Sequence, residues 1–306
     1  IGVGYLGRFH AQKYQQLPQC KLIAVCDANR ATAEKVATEL QVTASTNYHS
    51  LLNEVDAVSI VVPTQQHFAI ARDCLAAGKH VLLEKPMTTT VAEAKELVAL
   101  AEKNQVILQI GHLERFNPAI LAVADIIQQP MFIESARVAP FNPRGADVSV
   151  VMDLMIHDID IILEIVNSPV THIDAKGVAV LSNDFDIVNA RLQFANGCVA
   201  NVTASRAGRK SERKMRIFQR DTYISIDFQN KKLGVHRKGS AEMFPGVANI
   251  ESEEKTFAQG DALFAEIQSF IACISQKKRP VVSGEEGMRA LDTALAITHI
   301  LSHTTL

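Results

Sequence analysis

The chain of 306 residues has no tryptophan and only 4 tyrosines, so its core must come from aliphatic side chains and 13 phenylalanines. No one sign of charge dominates: 31 Lys and Arg against 33 Asp and Glu leave a net −2. That near balance gives no long-range pull toward nucleic acid or an anionic membrane, so any anion site must be local. Five cysteines, at 20, 26, 74, 198 and 273, form no C-x-x-C pair, and an odd count argues against a full disulfide framework. A reducing cytoplasm is the expected compartment. No apolar run approaches the roughly 20 residues of a membrane span, and no secretory leader is read. Histidines and acids nowhere supply a third ligand at convincing spacing, so no metal is expected. The chain starts at Ile1, without methionine and inside an apolar strand pattern, and further residues are expected upstream.

What is present is ordinary globular composition, 47% hydrophobic and 21% charged, at a length that favours two domains. Residues 81–86, Val-Leu-Leu-Glu-Lys-Pro, organise the first half. They read as a short buried strand that turns abruptly charged and is closed by a proline unable to continue a ladder. A Glu84-Lys85 pair there lies where open α/β sheets bind ligands, which makes Lys85 the first catalytic candidate.

At the start, Gly2, Gly4 and Gly7 give G-x-G-x-x-G around Tyr5 and Leu6, followed by a helix predicted over 8–17. A strand over 21–26 then ends in Asp27, about 20 residues past the last glycine. In a dinucleotide fold such glycines let the backbone approach the pyrophosphate, the helix start receives its charge, and the acid binds ribose hydroxyls. Asp27 favours NAD over NADP by repelling a 2′-phosphate, while Arg30 keeps NADP open.

Helices over 31–40, 67–77 and 91–104 alternate with strands over 57–62, 81–86 and 106–111, which implies a parallel sheet. Pro63, Thr64 and His67 fall at the sheet edge that carries the glycine turn, where the hydroxyl and imidazole could touch cofactor. The segment after the last strand, His112 to Pro118, carries Arg115, which could hold a substrate anion or a carboxylate at the domain junction.

These motifs, together with Gly78-Lys79-His80-Val81 and Arg115-Phe116, resemble the Gfo/Idh/MocA family of nicotinamide-dependent sugar and polyol oxidoreductases. That resemblance implies a Rossmann doubly wound domain over 1–118 and an α+β domain with an open, mostly antiparallel sheet over 119–306. The C-terminal helices could pack back on the first domain. It also implies that Lys85 sits beside the nicotinamide and substrate, and that Gly2, Gly4, Gly7 and Asp27 hold the adenosine half; Tyr5, Leu6 and Glu84 are counted with the cofactor-binding candidates. The runs Gly111 to Ala119, Thr203 to Arg206 and Lys214 to Gln219 are similar to the branch that oxidises C3 of UDP-N-acetylglucosamine, whose keto product an aminotransferase can take toward lipid A. Asn117 is counted with Arg115 as a substrate candidate.

From residue 131 the pattern becomes period two, with strands predicted over 131–138, 170–181, 187–194, 198–205, 214–219, 223–227 and 232–237. A helix over 151–166 carries Asp153 and His157 four residues apart, a spacing that stacks two side chains on one face. The family counterpart is an Asp-x-x-x-His element whose histidine meets the reacting hydroxyl; Met155 stands where relatives often carry glycine. Asp153 and His157 could instead only pack the helix on the sheet. Arg206, Arg209, Lys210, Arg213, Lys214 and Arg216 form a basic cluster that is either a solvated face or a diphosphate site. Arg144, in a junction loop, is a second candidate for substrate phosphate. His112, His172, His236, His299 and His303 read as surface or core residues. Helices over 261–275 and 284–303 complete the chain.

The resulting expectation is hydride transfer from a sugar hydroxyl to NAD, with His157 as base, Asp153 orienting it and Lys85 stabilising the oxygen; lysine and histidine could exchange roles. A homodimer or homotetramer joined through the C-terminal sheet is expected. An inositol or free-sugar dehydrogenase, a glycosidase using NAD transiently and a non-catalytic sensor on the same fold remain open.

Overall fold

The computed structural model describes residues 1–142, 148–258 and 260–303. The chain divides into two compact units, Ile1–Phe116 with Asp261–Leu291 and Asn117–Gly260 with Asp292–Leu306.

In the first unit, β1 (Ala24–Cys26) pairs in parallel with β2 (Thr43–Ser45). β3 (Ala57–Ile60), β4 (His80–Glu84) and β5 (Leu108–Gly111) form a second parallel set in the order β3-β4-β5. Ile1 and Gly2 tie the two sets together: Gly2 N donates to Cys26 O at 2.7 Å and Val61 N donates to Ile1 O at 2.8 Å. The helices are α1 (Tyr5–Gln16), α2 (Arg30–Leu40), α3 (Thr64–Ala76) and α4 (Val91–Asn104). α4 starts on a reciprocal cap, in which Thr90 accepts from Glu93 N and the Glu93 side chain reaches back. Val81, Leu82 and Leu83 are essentially inaccessible, as a central parallel strand covered on both faces requires.

Helix α7 (Ala262–Gln276) returns to this unit, packing Ile267 and Phe270 against Leu17 of α1 and Leu82 of β4. Residues 282 and 283 then run antiparallel beside β5, with Ile110 N donating to Val282 O. α8 (Gly284–Ser302) follows. Gly287 lies so close to Ile110 that a Cβ there would fall 2.5 Å from its side chain.

The second unit is built on one eight-stranded sheet, ordered β13-β12-β11-β10-β6-β9-β8-β7. Its strands are β6 (Pro130–Val138), β7 (Val170–Val178), β8 (Ile187–Phe194), β9 (Val199–Ser205), β10 (Glu212–Gln219), β11 (Thr222–Asp227), β12 (Lys232–Phe244) and β13 (Val247–Thr256). Every pairing is antiparallel except β6 with β9. Ahead of β6 stands the single turn α5 (Pro118–Leu121), and α6 (Ile156–Val166) covers one face of the sheet. That helix is apolar almost all round and is locked to the sheet by a buried ion pair, Arg137 Nε to Asp158 Oδ2 at 2.9 Å.

Three features depart from the sequence reading. β12 and β13 extend into a long hairpin that includes 238–256, where most residues are exposed on both faces and no buried alternation marks a strand. The helix expected over 151–166 opens with a π-helical turn, Val151–Met155, before α6 begins. The basic cluster is not one solvated face. Arg206 is 8% exposed, donating to Asp186 Oδ1 at 2.9 Å and to Val148 O at 3.0 Å.

Asp186, fully buried, also accepts from the backbone N–H groups of Val180, Leu181 and Ser182 and from the Ser182 hydroxyl. Burial pushes this carboxyl up, but those donors and the Arg206 guanidinium outweigh it and hold the group well below its ordinary range. A depressed folded-state pKa contributes stability that is present above the unfolded value and is lost as pH falls through the folded value. Asp186→Asn should therefore cost about 3 kcal/mol near neutrality, because it strands the buried guanidinium. In chemical denaturation, the gap between the two proteins should narrow as pH falls below about 4. A constant gap would show that the carboxylate charge is not what holds this loop.

Candidate functional site

The glycine turn and the start of α1 form the first part of the site. Gly2 has φ +78°, which a side chain would strain, and a Cβ on Gly7 would strike Gly2 O. Gly4, by contrast, has open space where a Cβ would stand. It occupies the N-cap of α1 without a side-chain cap, and the first turn carries no acid. The free N–H groups of that turn and the open approach over Gly4 suit a bound pyrophosphate.

Beside the turn is a groove of about 430 Å³ lined by Val3, Gly4, Tyr5, Asn29, Thr32 and Lys35, among others. Tyr5 is 74% exposed, and Leu6 is partly exposed. At the end of β1, Asp27 accepts from Val3 N and from Asn29 N, both at 2.9 Å. Its carboxylate is thereby fixed at the groove while retaining further acceptor capacity. Arg30 leans on Glu34 at 3.6 Å. The residues present thus fit an adenosine diphosphate moiety. A cavity of similar size, about 440 Å³, lies between β1 and β3 and is lined by Tyr14, Val25, Cys26, Val58 and Ser59, among others.

The second part gathers at the carboxyl ends of β3, β4 and β5. Pro63 precedes the first residue of α3, Thr64, as an N-cap without a side-chain bond. His67, expected to reach the cofactor, is buried and turns Nδ1 toward Pro86 O at 2.8 Å and Nε2 toward Val62 O at 2.9 Å. Two carbonyls facing one ring would favour a doubly protonated imidazole. Burial is the larger effect and lowers its pKa, so the neutral ring donates to one carbonyl at a time. His67 clips the loop after β3 to the loop after β4.

Lys85 follows β4 directly and is joined to Pro86 by a cis peptide bond. Glu84 does not reach outward. Its carboxylate is buried, 3.0 Å from His10 Nε2 on α1, with its other oxygen accepting from Lys85 N at 3.2 Å. His112, read from sequence only as a surface or core residue, is buried, and burial together with the Lys85 and Arg115 cations pushes its pKa down to about 3 against the opposing charge of Glu84. It is a neutral imidazole at the foot of the Lys85 loop. Arg115 is buried and donates to Val281 O at 3.4 Å.

In the second unit, Asp153 is exposed in the π-helical turn and His157 is half-buried in the first turn of α6. The wide turn alters the angular step between them, so the ideal α-helical stacking read from their spacing does not carry over. Single π turns of this kind are frequent at functional sites. Met155 is fully buried and therefore does not present its side chain at the surface of this turn. Asn117 is a cap: its Oδ1 accepts from Ala119 N and its Nδ2 donates to Phe228 O. Arg144 lies outside the described residues.

Sequence reasoning missed His10 and Glu266. Each sits on the buried face of its helix, His10 with Gly7 and Ala11, and Glu266 with Ile267, Phe270 and Cys273. A titratable residue inside an apolar helical stripe was the available signal.

Residues 1–112 match the family described as "Oxidoreductase family, NAD-binding Rossmann fold", and residues 134–224 match the GFO/IDH/MocA C-terminal domain. UDP-N-acetylglucosamine 3-dehydrogenase of Acidithiobacillus ferrooxidans is 42% identical over 298 residues, 97% of this chain and 94% of that protein. Its solved structure superposes with a TM-score of 0.93 at 41% identity, covering 98% of this chain and 95% of that one. The NAD(+)-dependent scyllo-inositol 2-dehydrogenase of Bacillus subtilis is 26% identical, covering 98% of this chain and 92% of its own length. The chain belongs to the Gfo/Idh/MocA family of NAD-binding oxidoreductases.

Proposed function

We propose that this oxidoreductase oxidises the C3 hydroxyl of UDP-N-acetylglucosamine to the 3-keto sugar, with NAD as hydride acceptor. The observation that carries the reading is its likeness, over nearly the whole of both chains, to a UDP-N-acetylglucosamine 3-dehydrogenase. NAD, when bound, supplies an electrophilic carbon that accepts the hydride. The chain's own residues bind, orient and handle the proton. The uncapped start of α1 holds the pyrophosphate, and Asp27 takes the ribose hydroxyls. His157 removes the hydroxyl proton, a task an imidazole performs near neutral pH without much tuning. Asp153 supports the charged imidazole, and the Lys85 ammonium hydrogen-bonds the same oxygen as negative charge develops. Arg115 and Arg144 are assigned to the substrate's diphosphate. The keto product suits an aminotransferase on a route to lipid A, and the five cysteines without a C-x-x-C pair support a cytoplasmic setting.

With NAD and UDP-N-acetylglucosamine, coupled to an aminotransferase and glutamate, absorbance at 340 nm should rise. Lys85→Ala and His157→Ala should each lower kcat by at least about 100-fold while NAD still binds by calorimetry. No turnover with the sugar nucleotide but turnover with scyllo-inositol would transfer the chain to the inositol branch. Asp27→Ala should weaken NAD relative to NADP by about tenfold, since a charged hydrogen bond to the ribose is lost and a repulsion removed; an unchanged ratio would take Asp27 out of the cofactor site.

We also infer that two copies of the chain associate through the sheet face opposite α6. A row of rings crosses that face, from Phe132 on β6 through Phe218 and Tyr223 to His236, with centroids 5.8, 4.9 and 5.1 Å apart. Half-exposed aromatic rows of this kind suit an interface core. Phe218→Glu should convert the oligomer to monomer in sedimentation velocity with an unaltered circular dichroism spectrum. A wild-type monomer, or an unaffected oligomer, would contradict this assignment.

A further inference from the structure

Beneath Lys85, four elements of the first unit bring polar groups into an otherwise apolar interior. β4 contributes Glu84, α1 contributes His10, β5 contributes Gln109 and α7 contributes Glu266. Leu82, Glu84, Gln109 and Gly111 lie on one sheet face, because Leu82 pairs with Gln109 and Glu84 with Gly111. That is the face on which α1 and α7 pack against Leu82. Gly111 leaves room for the Glu84 carboxyl, which stands 3.0 Å from where a Cβ would be. The Gln109 amide donates to the backbone oxygen of Glu266 at 3.2 Å, which fixes α7 against β5 at this point.

The two carboxyl groups are treated differently by their surroundings. Glu84 has donors: the Lys85 N–H and a His10 ring nitrogen. Glu266 is 0% exposed, and among the described residues neither of its oxygens has a hydrogen-bond partner. An isolated carboxylate in such a place would cost several kcal/mol, so the group takes its neutral form instead. Burial, followed by the charge of Glu84, pushes the Glu266 carboxyl well above its ordinary range. Two like charges in one dry interior cannot both persist.

We propose that Glu84 and Glu266 form a buried carboxyl pair carrying a single negative charge and a single proton, with Glu266 as the acid and Glu84 as the anion that positions Lys85. The inference rests on the catalytic reading of Lys85 given above. Glu84 acts in two ways. Its oxygen anchors the Lys85 backbone through the N–H at 3.2 Å, and it sets a carboxylate one residue from the Lys85 side chain. The rings bearing on Glu84 are His10, 3.0 Å from its carboxylate, and the buried His67 and His112, both of which burial holds neutral; Tyr14 of α1, whose hydroxyl pairs with Ser59, bears on Glu266. His67 and His112, held neutral by burial, add no charge there, so Glu84 is the carboxylate set against Lys85 from below.

Infrared difference spectroscopy and pH–kcat profiles test the pair on the full-length holoenzyme. At pH 8 the wild type should show the carbonyl stretch of a protonated carboxylic acid, and Glu266→Gln should remove it. In the pH–kcat profile, the limb that Lys85 controls should move to lower pH by roughly one unit in Glu84→Gln, because an anion that favours the ammonium is gone. Glu84→Asp, which keeps the charge, should restore much of that shift. Glu266→Gln, whose amide mimics the neutral acid, should leave the limb in place. A wild type without the band, a Glu84→Gln profile that coincides with wild type, or a Glu266→Gln shift equal to that of Glu84→Gln would each overturn the proposal. If Lys85→Ala retains activity while the band persists, the catalytic reading of Lys85 fails and the carboxyl pair stands as a structural feature.

Discussion

A carboxylate at the end of a buried strand is the constraint on which the rest of the first unit depends. Val81, Leu82 and Leu83 are fully enclosed, and the next side chain, Glu84, remains in the same dry environment. Such a charge persists only if donors and counter-charge are built around it. His10 has to come from α1, Lys85 has to follow immediately, residue 111 has to be glycine to admit the carboxyl, and the acid on α7 has to hold its proton. One electrostatic requirement thus fixes the helix after the glycine turn, the Lys85 loop and the returning C-terminal helix relative to a single strand. The same helix, α1, starts at the glycine turn and carries His10 to Glu84 farther along.

The second unit meets a comparable problem with another solution. Four of its buried charges form two pairs, Arg137 with Asp158 and Arg206 with Asp186, each at 2.9 Å. The first pins α6, which carries His157, to the sheet. The second, with the amide groups of 180–182, closes the loop ahead of β8. Pairs of this sort add little net stability compared with apolar packing, but breaking one leaves a stranded charge, so they enforce a single arrangement of helix on sheet.

Most of what was legible in the sequence was local. The glycine spacing, the acid after β1 and the apolar run ending in Glu-Lys-Pro are contiguous signals, and each marks an element whose conformation is set by nearby residues. What was not legible depends on partners far along the chain. Nothing near Arg206 announces that Asp186 will bury it, so a run of basic residues reads as surface. Glu266 sits in a helix whose stripe predicts packing but not which strand it meets. The π turn at Val151–Met155 has no residue signature comparable to a proline or a cap, and it altered the expected relation of Asp153 to His157. The hairpin of β12 and β13 was only partly seen, because a ribbon exposed on both faces lacks the alternation that reveals a strand. The parallel neighbours β6 and β9 are joined by a long connection that local periodicity cannot register.

The central claim is that this fold delivers a hydride from C3 of a nucleotide sugar to its cofactor. The most direct measurement is single-turnover reaction with UDP-N-acetylglucosamine carrying deuterium at C3, followed by mass analysis of the reduced cofactor. The account predicts NADH one deuterium heavier than that formed from unlabelled substrate, with formation slowed by a primary isotope effect and abolished in Lys85→Ala. Unlabelled NADH, or turnover indifferent to the label, would mean that C3 is not the site of oxidation.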